Sequence, residues 1–114
     1  MNGQEDEYEI EIDTLRQQVM DGNFALRPHA LQHAVKEGFT EAAMLQVVLH
    51  GVVVEMYRER NRCLLCTNVM VEEMMLPLHV VCEHLHPDAP VDLVTAYIPS
   101  DSEWETPTRR RKKE

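Results

Sequence analysis

Leu78-His79-Val80-Val81 and Leu93-Val94-Thr95-Ala96-Tyr97, followed by Pro99 and Trp104, decide the fold of this chain. Both runs are short, apolar and β-prone. They flank a loop, Glu83 to Asp92, that carries Pro87 and Pro90. Proline cannot donate to a sheet ladder, so it marks the connection and not a strand. The pair predicts a β-hairpin with a long connection. The second run ends in a hydroxyl-bearing aromatic, then a Pro, then the only Trp. A small sheet that finishes this way presents polar groups at one strand end, where small scaffolds often carry chemistry.

Working upstream, Val52 to Tyr57 is another β-branched run, and Arg62 to Val69 is a further extended candidate. Arg58-Glu59-Arg60-Asn61 between them reads as the turn of a second hairpin, and Glu72-Glu73 as a polar interruption before the first. Before Gly51 the period changes. Tyr8, Ile12, Leu15 and Val19 form one helical stripe from Tyr8 to Met20, stopped by Asp21-Gly22-Asn23. Phe24 to Leu26 is a brief strand or an extended entry. His29 to Glu37 reads as a helix with Ala30, Leu31, Ala34 and Val35 on its apolar side. Ala42 to His50 reads as another, with Thr40 as N-cap and Ala42, Leu45, Val48 and Leu49 apolar. The expected fold is α+β: a small, mainly antiparallel sheet of three to four strands with two or three helices on one face.

A chain of 114 residues suits one domain. Its expected extent is 8–105, after a disordered acidic N-terminus, 1–7, and before a basic disordered tail, 106–114. The formal net charge is −9, and residues 1–13 hold acids and no base. This balance weighs against general nucleic-acid binding, which needs cations for phosphates. Local basic clusters remain at Arg58, Arg60 and Arg62, and at Arg109 to Lys113. No run approaches the ~18 apolar residues of a membrane span, and no signal peptide is evident. A cytoplasmic chain with three reduced thiols is expected. Seven Met and one Trp imply an adaptable core.

Cys63-x2-Cys66-x15-Cys82-x3-His86 has the ligand types of a zinc site. An extended run, however, points Cys63 and Cys66 to opposite faces. Buried structural thiols are expected, with no metal and no cofactor. His29 and His33 share one helix face, as boundary histidines, an acid/base pair or a metal pair. The Glu of a His-Glu-x-x-His motif is absent, since residue 30 is Ala. His79 faces the same way as Val81, either hydrogen-bonded in its strand or as a general acid/base with a pKa of about 6.5. His84 and His86 are expected in a solvated loop. Arg58, Arg60 and Arg62 alternate, so an extended backbone would align them for a phosphate chain. Tyr97 is a half-buried strand aromatic or a site residue.

Further residues carry a family likeness. His29-Ala30 opens a short helix, and Glu37-Gly38-Phe39-Thr40 leads to a second helix ending at Gly51. Val54-Glu55, Leu78-His79-Val80-Val81, Val94-Thr95-Ala96-Tyr97-x-Pro99 and Trp104 follow. This order resembles a family of small bacterial proteins of unknown function that are similar to the RelE, BrnT and MqsR toxin folds. The resemblance covers roughly 24–104. It implies a toxin-like component of a toxin–antitoxin pair, an mRNA-interferase-like ribonuclease working without a metal. It also implies a zinc-finger antitoxin-like partner of the MqsA/YgiT kind. Proton work would fall to His29, His79 and Tyr97, and RNA binding to Lys36, Arg58, Arg60 and Arg62. The family pattern often has Arg where this chain has His33 and Glu37. The alternative reading is a non-catalytic protein-interaction domain.

Overall fold

The computed structural model describes residues 8–112. The expectation for 1–7 lies outside the described residues. Three helices, α1 (Ile12–Met20), α2 (Pro28–Glu37) and α3 (Glu41–His50), accompany seven strands. The strands are β1 (Phe24–Leu26), β2 (Val52–Tyr57), β3 (Arg62–Val71), β4 (Met74–Glu83), β5 (Val91–Tyr97), β6 (Trp104–Thr106) and β7 (Arg109–Arg110). The architecture is α+β. The sheet exceeds the three to four strands expected: five strands run in the order β1-β5-β4-β3-β2, and β6-β7 form a separate ribbon. The fifth member is β1, which pairs parallel to β5 with Phe24 beside Val91. All other pairings are antiparallel.

The hairpin expected from Leu78 to Tyr97 is β4-β5. The Glu72-Glu73 interruption is the tip of the β3-β4 hairpin. Both residues have left-handed φ, 48° and 75°, the backbone of a tight two-residue turn.

Alternation divides the sheet into a helix-covered face and an open one. Cys63, Leu65, Val69 and Val71 of β3, with Leu78, Val80 and Cys82 of β4, join the buried core. Val91, Leu93 and Ala96 of β5 extend it. The helices contribute Leu15 and Val19, then Ala30 and Ala34, then Ala43, Met44, Val47 and Val48. On α2 the apolar side is therefore narrower than the sequence suggests. Leu31 is 43% and Val35 86% exposed. Ala30 and Ala34 alone let this helix lie close on the sheet. On α3 the buried stripe is rotated by about one residue, and Thr40 caps it by accepting from the Ala43 N–H.

Two bulges decide what reaches the open face. On β2, Val53 pairs with Leu65 and Glu55 with Leu64, leaving Val54 unpaired. The extra residue flips the alternation. Met56 thus packs against the core, while Glu55 and Tyr57 share the open face. On β5 the register shifts between the partners of Val81 and Cys82. Thr95 and Tyr97 then face the open side, as does Asp92, and Leu93 turns to the core.

Candidate functional site on the open sheet face

The polar side chains of the open face converge in rows across the strands. The first row runs Tyr57, Arg62, Glu83, Asp92. Glu83 bridges two guanidiniums, Arg62 Nε at 2.8 Å and Arg27 Nη2 at 3.1 Å, and Arg27 also reaches Asp92 at 2.8 Å. Hydrogen-bonded ions in one network hold their rotamers more firmly than isolated surface pairs. This network fixes Arg62 at the mouth of a shallow depression lined by Tyr57, Glu59, Arg60, Arg62 and Val81, with a volume of about 220 Å³.

One row further along stands Glu55. Arg110 grips it with two hydrogen bonds, Nε to Oε2 at 2.6 Å and Nη2 to Oε1 at 3.1 Å. The Tyr57 hydroxyl also donates to Glu55. The Arg110 hydrogen bond is the main force holding the Glu55 carboxyl below its ordinary range. Burial first, and then the bond to Glu55, push the Tyr57 phenol upward. At neutral pH the cluster is a carboxylate, a guanidinium and a neutral phenol.

The third row is Cys66, His79 and Tyr97. It lies beneath the β6-β7 ribbon. Trp104, 3% exposed, meets His79 edge-on with ring centres 4.5 Å apart. The Arg110 guanidinium carbon sits 4.5 Å from the centre of the same indole, a cation–π contact. The Pro107 carbonyl accepts from His79 Nε2–H at 2.6 Å. His79 is wholly buried, and burial holds its pKa below the ordinary value. It is therefore a neutral strand histidine whose Nε2 proton is already engaged. Tyr97 lies 5.3 Å from it by ring centres, with its phenol pushed up to about 12 by burial.

The sequence-predicted residues thus divide into separate groups. His79 and Tyr97 are neighbours, but His29 is exposed on α2, behind the opposite face of the sheet. Lys36 is exposed on the same helix. Arg58 and Arg60 occupy a 3₁₀ turn, Arg58–Arg60, and only Arg62 enters a strand. The three do not form the row that an extended backbone would make, because the turn rotates their side chains apart. Cys63 and Cys66 do face opposite sides of the sheet, and all three thiols are buried and free. Burial pushes Cys63 up to about 12 and Cys82 well above the ordinary thiol value. Thiols so protonated are poor nucleophiles and poor ligands.

Three expectations change with the fold. The basic tail from Thr106 is not a disordered stretch throughout: Arg109–Arg110 pairs with Trp104–Thr106, and Arg110 completes the site. His84 is buried and not solvated, accepting from the Tyr8 hydroxyl at Nδ1 (2.9 Å) and donating to the Ala89 carbonyl from Nε2 (3.1 Å). Tyr8 accordingly stands outside α1, which begins at Ile12. Glu55 and Tyr57 escaped the sequence reading. Their two-residue spacing in a β-prone run was the signal available, since alternation puts such a pair on one face.

Burial lowers the pKa of both His79 and His84 from an ordinary 6.5. Below 6.5 the unfolded chain takes up protons that the folded chain refuses, so stability falls with pH in that window. Thermal melts should give a Tm that is flat above pH 7 and declines from 6.5 downward. A His79→Gln/His84→Gln variant should melt lower at pH 7.5 and lose much of that slope. An unchanged slope would remove these two imidazoles as its source.

Among the described residues, no helix is long and apolar enough to cross a membrane. Compared with known proteins, the chain matches no protein-family model, no curated protein and no solved structure.

Proposed function

We propose that this chain is a toxin-like, RNA-directed domain that binds single-stranded RNA on its open sheet face and cleaves it without a metal. The observation that carries this reading is the placement of the Tyr57–Arg60–Arg62 depression directly beside the Glu55–Arg110 pair. An aromatic next to arginines on an exposed sheet suits a stacked base and its flanking phosphates. The acidic balance of the chain weakens long-range attraction, so the contact must come from these local cations.

Cleavage would proceed by transesterification. The ribose 2′-oxygen attacks phosphorus, the bond to the 5′-oxygen breaks, and a 2′,3′-cyclic phosphate and a 5′-hydroxyl result. Glu55 takes the 2′-hydroxyl proton and the protonated Tyr57 supplies one to the leaving oxygen. Arg110 moves from Glu55 to the phosphate, where charge develops. That move also removes the cation that depresses Glu55, making the carboxylate a better base when substrate is bound. His79 takes no part, because its imidazole is buried and its Nε2 proton engaged.

The test is incubation of the purified chain with a labelled single-stranded RNA in EDTA. Cyclic-phosphate ends are expected. Glu55→Gln should slow cleavage by about 10²-fold or more with little change in binding. Tyr57→Ala should weaken binding by about 1–3 kcal/mol. Absence of both cleavage and salt-dependent binding would overturn the reading.

A separate observation favours the alternative, a non-catalytic protein-interaction domain. Met70, Met74 and Met75, at the β3-β4 tip, are 60–61% exposed. Methionine-rich apolar surface suits an adaptable protein contact, such as a zinc-finger antitoxin-like neighbour. A stable protein partner lost in a Met70→Ser/Met75→Ser variant, without RNA cleavage, would favour this alternative.

A further inference from the structure

We propose that His29 and His33 form an open, two-imidazole site for a divalent transition metal, with Glu37 as its outer carboxylate. Proline at the start of α2 places His29 in the first turn, His33 one turn on and Glu37 at the last residue. Spacing of four aligns the three side chains along one face. The two imidazole centres are 4.7 Å apart with planes at 78°. With metal–nitrogen bonds of about 2.0–2.1 Å, two imidazoles on one ion have centres roughly 5 Å apart. The pair therefore stands close to chelating distance without any shift of the helix.

Glu37 supplies the second, independent observation. Its Oε2 lies 2.7 Å from His33 Nδ1. A carboxylate accepts, so Nδ1 carries the proton and Nε2 presents its lone pair, the tautomer a ligand needs. The other carboxylate oxygen accepts from the Ile98 N–H at 2.9 Å, tying Glu37 to the end of β5. A carboxylate anchored behind a histidine in this way fixes the ring and raises its basicity toward a metal.

His29 is exposed and the His33 side chain 30% exposed, so an ion can reach both. Among the described residues no cluster of three or more His, Cys, Asp or Glu is suited to a metal. The remaining coordination positions stay open to water or to a donor from another molecule. Imidazole donors select copper(II), nickel(II) and zinc(II) over magnesium and calcium. The five-stranded sheet separates this site from the Glu55–Arg110 cluster, so its test is independent of RNA cleavage.

The experiment is calorimetric titration of the full chain with ZnCl₂, NiCl₂ and MgCl₂, followed by histidine-ring NMR during addition of CuCl₂. Saturable one-to-one binding is expected for zinc and nickel, with none for magnesium. Copper should broaden the His29 and His33 ring signals before the other four histidines. His29→Ala and His33→Ala should each lower zinc affinity by tenfold or more, and Glu37→Gln by about 10–100-fold. Unsaturable binding, affinity unchanged in the His29→Ala/His33→Ala double variant, or broadening centred on another histidine overturns the proposal.

Discussion

Gly51→Ala is expected to destabilise the fold by about 3 kcal/mol or more, at the upper end of overpacking costs. Backbone conformation is not the reason: Gly51 has φ −77° and ψ 164°, open to any residue. The obstacle is space. An added Cβ would lie 2.5 Å from the Val47 carbonyl oxygen and 2.9 Å from that of Cys66. Both are backbone atoms of packed elements, so neither can turn aside as a flexible side chain would. Gly51 N–H also closes α3 on Val47 O, and Arg16 reaches from α1 to the carbonyls of Val48 and Gly51. One methyl group therefore presses on the α1–α3–β3 junction. A Tm drop of roughly 10 °C or more is expected by calorimetry. Gly22→Ala is the contrast. Nothing lies within 4 Å of its Cβ, but φ is +84°, so left-handed strain of about 1–2 kcal/mol is the whole cost. Equal losses at both positions would contradict this account.

Trp104→Ala is expected to cost about 3 kcal/mol, within the range for removing a buried aromatic. The indole fills the space between His79 and Arg110, and the ribbon has few other holds on the sheet: Pro107 O on His79, and Arg110 on Glu55. Without the indole, the β6-β7 ribbon should detach while the five-stranded sheet stays folded. Three measurements separate local from global loss. Trypsin should cut faster at Arg109 to Arg111, His79 should become titratable by NMR, and far-UV circular dichroism should change little. Trp104→Phe keeps a ring over His79 and should retain most of the stability. If trypsin sensitivity is unchanged in Trp104→Ala, the ribbon does not depend on this anchor.

These cases show which parts of the structure were legible in the amino-acid order. The β4-β5 hairpin and the three helices were, because their signals are local: alternation, apolar spacing, Pro in the connection, Gly and Thr at helix ends. β1 was harder to place. Three residues carry almost no periodicity, and its parallel partner lies far along the chain at Val91–Leu93. The Glu72-Glu73 turn lacks the Asn-Gly chemistry that usually marks left-handed backbone. The site was least visible because its partners are remote. Glu55 meets Arg110 across 55 positions, and His84 meets Tyr8 across 76. A basic tail reads as solvated until a carboxylate is known to wait for it. The same distance hides why His79, flanked by apolar strand neighbours, ends as a covered donor to Pro107.

The unpaired Val54 has an evolutionary consequence. Val53 and Glu55 already face the adjacent Leu65 and Leu64, so deleting Val54 would leave a continuous ladder with Glu55 and Tyr57 still on the open face and Met56 still on the core. The bulge thus absorbs one extra residue without disturbing the chemistry on either side of it. Lineages of such a domain could carry or lose this codon with the cluster intact, a difference in length that substitution-by-substitution comparison would overlook.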